Sequence, residues 1–252
     1  MKLKLTISSI SSCSGCISTL LTLDIFPQFF ERTEIEYFPF IADNLEINDC
    51  DIALIEGSVT EEAHIKYVKE IRKHTKKLYA LCTCSAFGGI LSLSNKKDSR
   101  PISDFVEIDG MIPGCPPPPI LLGNSMIHLI ENKKIILDEK NLCSTCPLRS
   151  TLKITKNSKL ERLMPNNDEI DFPEGALSCF LTKGILCMGP ITRTGCEHIC
   201  INQGVPCEGC MGPVSKQFTS NLVNFLSILT VNEKLKAYEG IFYRFSKPRV
   251  KR

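Results

Sequence analysis

The sequence lacks the features that carry a chain into or across a membrane. The N-terminal stretch MKLKLTISSISSC alternates apolar and polar residues and has no continuous apolar core of the kind that a signal peptide needs. No twin-arginine pair precedes Cys13, and no run of about 18 apolar residues could span a bilayer. We therefore expect a cytoplasmic protein without direct membrane insertion.

Long runs of charge of one sign are also missing. The formal net charge is +2, and 23% of the residues are charged. A nucleic-acid-binding protein usually carries a clustered basic face, which this distribution does not indicate. We expect no nucleic-acid partner. With 43% hydrophobic residues over 252 positions, the chain has enough apolar material for one medium domain or two small ones.

Cysteine is the residue present in excess, with 14 copies. An even number of cysteines is typical of disulfide-rich secreted proteins, but those are mostly small domains, and this chain has no export signal. In a reducing compartment, this many cysteines indicates metal ligation.

The first 135 residues alternate between strand-like and helix-like segments, which predicts a parallel sheet covered on both faces. A tight turn is expected at 84–89. The predicted strands are 2–8, 34–40, 51–55, 77–82 and 108–112, and the predicted helices are 17–30, 61–74 and a segment that ends near Ile130.

Three cysteines, Cys13, Cys84 and Cys115, each follow a predicted strand. In parallel sheets, ligands bind beyond the carboxyl ends of the strands. We therefore expect these three thiols to meet at one edge of the sheet.

The pattern changes after about Asn141, where cysteines recur with glycine and proline and periodicity is weak. We expect this segment to form little hydrophobic core of its own. Eight cysteines fall here, and eight thiolates suit either two four-iron, four-sulfur (4Fe–4S) clusters or two zinc sites. Cys146-Pro147, a cysteine followed by proline, is a feature of cluster-binding runs and favours clusters modestly.

Several ordered motifs resemble the small subunit of nickel–iron hydrogenases. They are Cys13-Ser14-Gly15-Cys16, Ile55-Glu56-Gly57-Ser58-Val59, Cys84-Ser85-Ala86-Phe87-Gly88-Gly89 and Ile112-Pro113-Gly114-Cys115-Pro116-Pro117. The later stretches 187–196 and 207–210 are similar to the cytoplasmic branch, which includes viologen-reducing hydrogenases that serve heterodisulfide reductase and the sulfhydrogenases. The resemblance runs from about residue 3 to 214.

The resemblance implies an α/β fold with a flavodoxin-like domain at 1–135, an irregular cluster-binding domain at 136–215 and a C-terminal helical segment and tail at 216–252. It also implies three 4Fe–4S clusters. The proximal cluster would use Cys13, Cys16, Cys84 and Cys115. The distal cluster would use Cys143, Cys146, Cys179 and Cys187, and the medial cluster Cys196, Cys200, Cys207 and Cys210.

The roles of four other residues are considered separately. Cys82 stands where relatives usually have glycine; it is either an alternative to Cys84 or a small buried side chain at a strand end. Cys50 fits no motif and is interpreted as an inert thiol in a loop or at a helix terminus. Glu56 is either a proton relay or a satisfied core carboxylate. His198 is expected to face solvent rather than a cluster.

The resemblance implies an oxidoreductase subunit without nickel ligands of its own. A large subunit would hold the nickel–iron centre, and electrons would pass to a flavin-bearing or ferredoxin-like partner, with heterodisulfide reductase among the candidates. Two alternatives stay open at this point. One is a zinc-stabilised, non-catalytic scaffold; the other is a subunit of a hydrogenase-related complex that has lost nickel–iron, although such relatives usually keep only the proximal cluster.

Overall fold

Two units make up the structure, a computed structural model. They comprise Met1–Ile136 and Leu137–Arg244, and each is described by itself. The residues that the structure describes are 2–43, 46–94, 98–153, 158–166, 178–214, 218–236, 240–242 and 244–245.

A five-stranded sheet forms the centre of the first unit. Its strands lie in the order β2-β1-β3-β4-β5, and every neighbouring pair is parallel. This is the flavodoxin-like strand order, so the predicted fold class is confirmed. The strands are β1 (Leu3–Ser9), β2 (Thr33–Tyr37), β3 (Cys50–Glu56), β4 (Thr75–Leu81) and β5 (Gly110–Ile112).

The apolar run in β3 explains why this strand lies centrally. Successive side chains of a strand point to opposite faces of the sheet. Ile52 and Leu54 accordingly pack in the apolar cluster on one face, and Ala53 and Ile55 pack in the cluster on the other. A strand that is apolar on both faces is stable only where both faces are covered.

Helices cover both faces. Ile17 and Phe29, from the first two helices, pack with Leu122 of the last helix against the face that holds Leu54. Val68 and Ile71 pack against the opposite face. The helices of this unit are α1 (Gly15–Leu21), α2 (Phe26–Glu31), α3 (Glu62–His74), α4 (Cys82–Phe87) and α5 (Pro119–Ile130).

Two predictions for local structure in this unit are wrong. The predicted single helix at 17–30 is two helices, because Pro27 lacks an amide hydrogen and fits only the first turn of a new helix, α2. The segment 84–89 is not a plain turn. It belongs largely to α4, which starts at Cys82 and is closed by Gly88 with a φ of 90°.

Short elements and one apolar cluster form the second unit. Its helices and strands are β6 (Ser158–Leu160), α6 (Ile199–Asn202), α7 (Phe218–Ser227), β7 (Leu229–Val231) and α8 (Glu233–Lys236), and β6 pairs with β7 in parallel. The expectation of little core was wrong. The cysteine-rich segment itself contributes Leu142, Leu160 and Phe180 to the apolar cluster, and Leu222 and Phe225 of α7 pack with them.

Hydrogen bonds connect the loops that follow the strands of the first unit. The amide of Ile10 donates to the carbonyl of Glu56 at 2.9 Å, and the amide of Ser58 donates to the carbonyl of Ser11 at 3.0 Å. The amide of Thr83 donates to the carbonyl of Gly114 at 3.1 Å, and the amide of Gly114 donates back to Thr83 Oγ1 at 3.0 Å. The loops after β1 and β3, and those after β4 and β5, are therefore tied in pairs.

Within the described part of the chain, we find no helix with the length and apolar character required to cross a lipid bilayer.

Replacing Thr83 by valine tests the tie between the last two loops. Valine keeps the shape of the side chain but leaves the buried Gly114 amide without its acceptor, which typically costs about 1–3 kcal/mol. We expect T83V to lower the thermal midpoint of the full chain, measured by calorimetry. The control T22V removes an exposed hydroxyl and should change stability by less than about 0.5 kcal/mol. Equal midpoints for the two variants would contradict the role assigned to this hydrogen bond.

Candidate metal centres

The predicted proximal cysteines come together at the carboxyl edge of the sheet. Cys13 and Cys16 lie in the loop after β1 and at the start of α1, Cys84 lies in α4 directly after β4, and Cys115 follows β5. The Cys84 thiol interacts electrostatically with Cys13 and Cys115, and the Cys115 thiol interacts with Cys13. The expected convergence at one edge is thus present in the structure.

These thiols are crowded, with Cys16 buried, Cys84 partly buried and Cys13 and Cys115 exposed. The crowding changes their pKa values. A hydrogen bond with Cys82, followed by burial, raises the pKa of Cys16 and that of Cys84 far above the ordinary thiol range. Burial, and then the neighbouring Cys13, raises the pKa of Cys115. Several adjacent thiols cannot all be thiolates without a compensating cation, so binding of iron would displace their protons.

One glycine gives the Cys84 sulfur its space. Gly89 has a φ of 60°, and a Cβ atom built on it would lie 2.5 Å from Cys84 Sγ. Any larger residue would have to push the thiol out of its position. Gly88 therefore ends α4, and Gly89 leaves room for the Cys84 sulfur.

Cys82 lies in the same group of thiols. It is buried at 2% exposure directly after β4, as expected of a small buried side chain at a strand end, and whether it can also bind metal stays a prediction. Burial opposes its ionisation, yet hydrogen bonds with the Cys16 and Cys84 thiols and with the amides of Gly57 and Ser85 lower its pKa. Its backbone also has a φ of 84°, which is unusual for a residue with a side chain. No sequence pattern indicates that conformation.

Glu56 ends β3 beside the same site and is buried at 1% exposure. Its Oε1 accepts a hydrogen bond from the Cys16 amide at 3.0 Å. Its Oε2 is buried and has no hydrogen-bond partner among the described residues. Burial raises the pKa of this carboxyl. One oxygen of Glu56 is thus bonded to the Cys16 amide, and burial makes this carboxyl harder to ionise than one in water, although hydrogen bonds from Cys16 and Ile17 act in the opposite direction.

Cys50 lies away from this site. It is the first residue of β3 rather than part of a loop or helix terminus, so that prediction was wrong. It packs in the apolar cluster that contains Ile55 and Val68. It is an ordinary buried thiol.

In the second unit, the four predicted distal cysteines are close together. Burial, followed by the neighbouring Cys187, Cys146 and Cys179, raises the pKa of Cys143 to about 12. Burial raises the pKa of Cys187 to about 11, against the effect of hydrogen bonds from the amides of Gly189 and Cys207. A Cβ atom at Gly189 would lie 3.1 Å from Cys143 Sγ and 3.6 Å from Cys187 Sγ.

The four predicted medial cysteines form two neighbouring pairs. Cys196 interacts with Cys200, and Cys207 interacts with Cys210. Cys200 also interacts with Glu208, which lies between the members of the second pair. Cys207 interacts with Cys187 as well, so the two predicted sets adjoin at this point. The division of these eight cysteines between two clusters stays a prediction.

His198 and Arg193 support the second unit in ways that the sequence did not indicate. His198 is buried at 8% exposure rather than facing solvent, and its Nε2 lies 3.1 Å from the carbonyl oxygen of Leu142. It thus connects the Cys196 loop to the Cys143 loop. The Arg193 guanidinium donates to the carbonyl oxygens of Asp138, Pro213 and Val214. His198 could be noticed in the sequence because it lies between the predicted ligands Cys196 and Cys200. No sequence feature singled out Arg193.

The thiols fit iron–sulfur clusters in donor type and surroundings. All donors of each predicted set are sulfur, the ligand type of such clusters. Amide groups donate to the sulfurs of Cys146, Cys187, Cys196 and Cys207, and such hydrogen bonds stabilise thiolate ligands and tune potentials. Among the described residues, no three His, Cys, Asp or Glu side chains are gathered so as to hold a single metal ion.

Comparisons with known proteins give the family of the chain. Residues 13–129 match the family model of the 20 kDa subunit of NADH ubiquinone oxidoreductase. The chain is 31% identical to the vhu G protein of the F420-non-reducing hydrogenase of Methanocaldococcus jannaschii, over 90% of this chain and 88% of that protein. It is 25% identical to the delta subunit of sulfhydrogenase 2 of Pyrococcus furiosus, over 96% of this chain and all of that protein.

A solved structure supports the fold. A chain of the NiFeSe hydrogenase from Desulfovibrio vulgaris Hildenborough superposes with a TM-score of 0.63 at 19% identity, over 87% of this chain and 96% of that one. With the hydrogenase relatives, this shows that the chain belongs to the family of nickel–iron hydrogenase small subunits, in the group of the F420-non-reducing hydrogenase G and sulfhydrogenase delta subunits, and is a subunit of an oxidoreductase that acts on dihydrogen.

Proposed function

We propose that this chain conducts electrons between the nickel–iron site of a large subunit and an acceptor protein through three 4Fe–4S clusters. The proximal cluster is held by Cys13, Cys16, Cys84 and Cys115. The distal set is Cys143, Cys146, Cys179 and Cys187, and the medial set is Cys196, Cys200, Cys207 and Cys210. Each cluster would supply one-electron redox chemistry.

The convergence of the proximal thiols at one sheet edge is the observation that carries this proposal. It brings together cysteines from three separate segments, and the Thr83–Gly114 hydrogen bonds fix two of those segments against each other.

The partners follow from the family and from the proposed role. A hydrogenase large subunit would carry the nickel–iron centre, since this family is the small-subunit family. We place the acceptor among flavin-bearing or ferredoxin-like proteins, with heterodisulfide reductase as one candidate, and the complex in the cytoplasm. The names of the relatives, F420-non-reducing hydrogenase and sulfhydrogenase, support a group of such complexes.

We also propose that Glu56 relays protons at the proximal site. A relay group must exchange a proton near neutral pH, and burial moves the pKa of Glu56 upward from 4.5. Its Oε2 has no partner among the described residues, so one oxygen is available to a proton donor or acceptor. The other oxygen holds the Cys16 amide and fixes the carboxyl in place.

The metal content of the assembled complex tests the main proposal. Three cubane clusters correspond to about twelve irons and twelve acid-labile sulfides. We expect this content beyond the large subunit's own nickel and iron after anaerobic purification, measured by elemental analysis and sulfide assay. Zinc without sulfide would contradict the proposal and favour the alternative of a zinc-stabilised, non-catalytic scaffold. Only about four irons would favour the single-cluster relatives.

Replacing Gly89 by alanine should displace Cys84 from its place at the proximal cluster. The added Cβ would lie 2.5 Å from Cys84 Sγ, and the φ of 60° disfavours any side chain. We expect a shift of the proximal signal in electron paramagnetic resonance (EPR), because the Cys84 sulfur can no longer bind in the same position. The control is Gly123→Ala in α5, where the new Cβ would make an ordinary 3.5 Å contact with Ile25 and the EPR spectrum should not change. An EPR spectrum of G89A identical to that of the natural complex would contradict the position given to Cys84.

Replacing Glu56 by glutamine removes the negative charge of the side chain and keeps its shape. Glutamine keeps an oxygen for the Cys16 amide but cannot take up a proton. Because the pKa of Glu56 is raised in the folded chain, its stabilising contribution is fully present below the unfolded value of 4.5 and is lost as pH rises through the folded pKa. The thermal midpoint of E56Q relative to the natural chain should therefore increase as the pH rises above about 4.5. Glu62→Gln, which removes an exposed carboxyl, is the control for losing one charge.

Turnover of the same variant tests the relay. In the assembled hydrogenase, E56Q should slow dihydrogen oxidation by about a hundredfold while iron content stays the same. Glu56→Asp, which keeps a carboxyl, should retain more activity than E56Q. Equal rates in E56Q and the natural enzyme would show that Glu56 is a structural carboxyl only.

A further inference from the structure

Five cysteine thiols meet at the edge of the sheet, although one 4Fe–4S cluster binds four. The fifth is Cys82, and its sulfur makes hydrogen-bonding contact with the thiols of Cys16 and Cys84. Both neighbours belong to the set proposed to hold the proximal cluster. The site thus contains one thiol more than such a cluster binds at one time.

The backbone at Cys82 is held in a conformation that favours glycine. Its φ of 84° lies in the left-handed region, which disfavours a residue with a Cβ atom. The next residue, Thr83, is fixed by its hydrogen bonds with Gly114, so the conformation is imposed by the loops around it. A buried side chain kept in such a conformation is typical of functional sites.

Amide groups point at the Cys82 sulfur. The backbone N–H groups of Gly57 and Ser85 both donate to it. Amide hydrogen bonds of this kind support metal-bound sulfur, and the predicted ligands Cys187 and Cys207 receive them in the second unit. The surroundings of Cys82 therefore resemble those of a ligand. Cys82 also packs in the apolar cluster on the face of the sheet that holds Leu54.

We propose that Cys82 is an alternative ligand of the proximal cluster that can replace Cys84 on its iron. The inference rests on the proposed function, which puts a cluster at this site. In the exchange, the iron–sulfur bond to Cys84 breaks, a bond to Cys82 forms, and the proton of the Cys82 thiol passes to the leaving Cys84 thiolate. No electron is gained or lost.

The geometry selects Cys84 as the partner of this exchange. Cys82 and Cys84 are in contact and lie in the same short helix, α4, so the exchange needs no second loop to move. Cys16 also touches Cys82, but its amide is anchored on Glu56. Cys13 and Cys115 come from other loops.

Iron content of cysteine variants of the assembled complex tests the proposal. The natural complex should carry about twelve irons in this chain, and C84A should keep about twelve because Cys82 takes the vacated iron. The double variant C82G/C84A should fall to about eight. Glycine is used at position 82 because it adopts the left-handed backbone without cost. C50A/C84A, which removes a different buried thiol, is the matched control and should keep about twelve.

A spectroscopic measurement gives an independent readout. In C84A, the EPR spectrum of the reduced proximal cluster should shift, since one ligand has changed. In C82G all four proposed ligands remain, and the iron content should be unchanged. Its EPR spectrum should still shift, because a thiol that contacts two ligands has been removed. C50A should leave the spectrum unchanged.

Three results would overturn the inference. The first is a loss of iron in C84A as large as that in C82G/C84A. The second is an EPR spectrum of C82G identical to that of the natural complex. C115A could also keep its full iron content, which would show that a missing ligand is tolerated without help from Cys82. A natural complex without iron at the proximal site would reject the proposed function itself, so the two failures are distinguishable.

Discussion

The pairing of buried peptide groups at the carboxyl edge of the sheet is the constraint on which the first unit's site depends. A buried amide without a partner costs as much as a lost hydrogen bond, so loops that meet in the interior must bond to one another. Ile10 bonds to Glu56, and Thr83 bonds twice to Gly114. These bonds determine where Cys16, Cys84 and Cys115 lie. These thiols would repel one another if they ionised, so they favour the protonated form until a bound metal cluster compensates their charge.

The two units support their cysteine sites in a similar way. In the first, a sheet with apolar clusters on both faces holds the loops, and Cys16 and Cys82 are members of one of those clusters. In the second, Cys187 and Cys207 are members of the apolar cluster, alongside Leu222 and Phe225 from the C-terminal helix. Burial raises the pKa of Cys187 and that of Cys207. Metal binding and packing would therefore be linked in both units, because these buried thiols are part of the core.

The sequence predicted the parts that depend on periodicity and strand order. The strands, the two-faced sheet and the meeting of Cys13, Cys84 and Cys115 all follow from the alternation of apolar residues. It could not predict the left-handed backbone at Cys82, because neighbouring loops impose that conformation. Nor could it place His198, whose burial depends on Leu142, 56 residues earlier in the chain. The core of the second unit was missed for a related reason, since α7 follows the cysteines in sequence but packs among them.

Glu56 and the proximal thiols form a single electrostatic system. Burial is the main cause of the raised pKa of Glu56, and the nearby Cys82 adds to it. Adding negative charge next to a carboxyl favours its protonated form. An electron that arrives on a cluster held by these cysteines would therefore raise the pKa of Glu56 further, and its departure would lower that pKa. By linkage, protonation of Glu56 would in turn make the cluster easier to reduce. A carboxyl in this position would thus couple proton movement to electron movement, because its charge and the charge of the proposed cluster would lie at the same edge of the sheet.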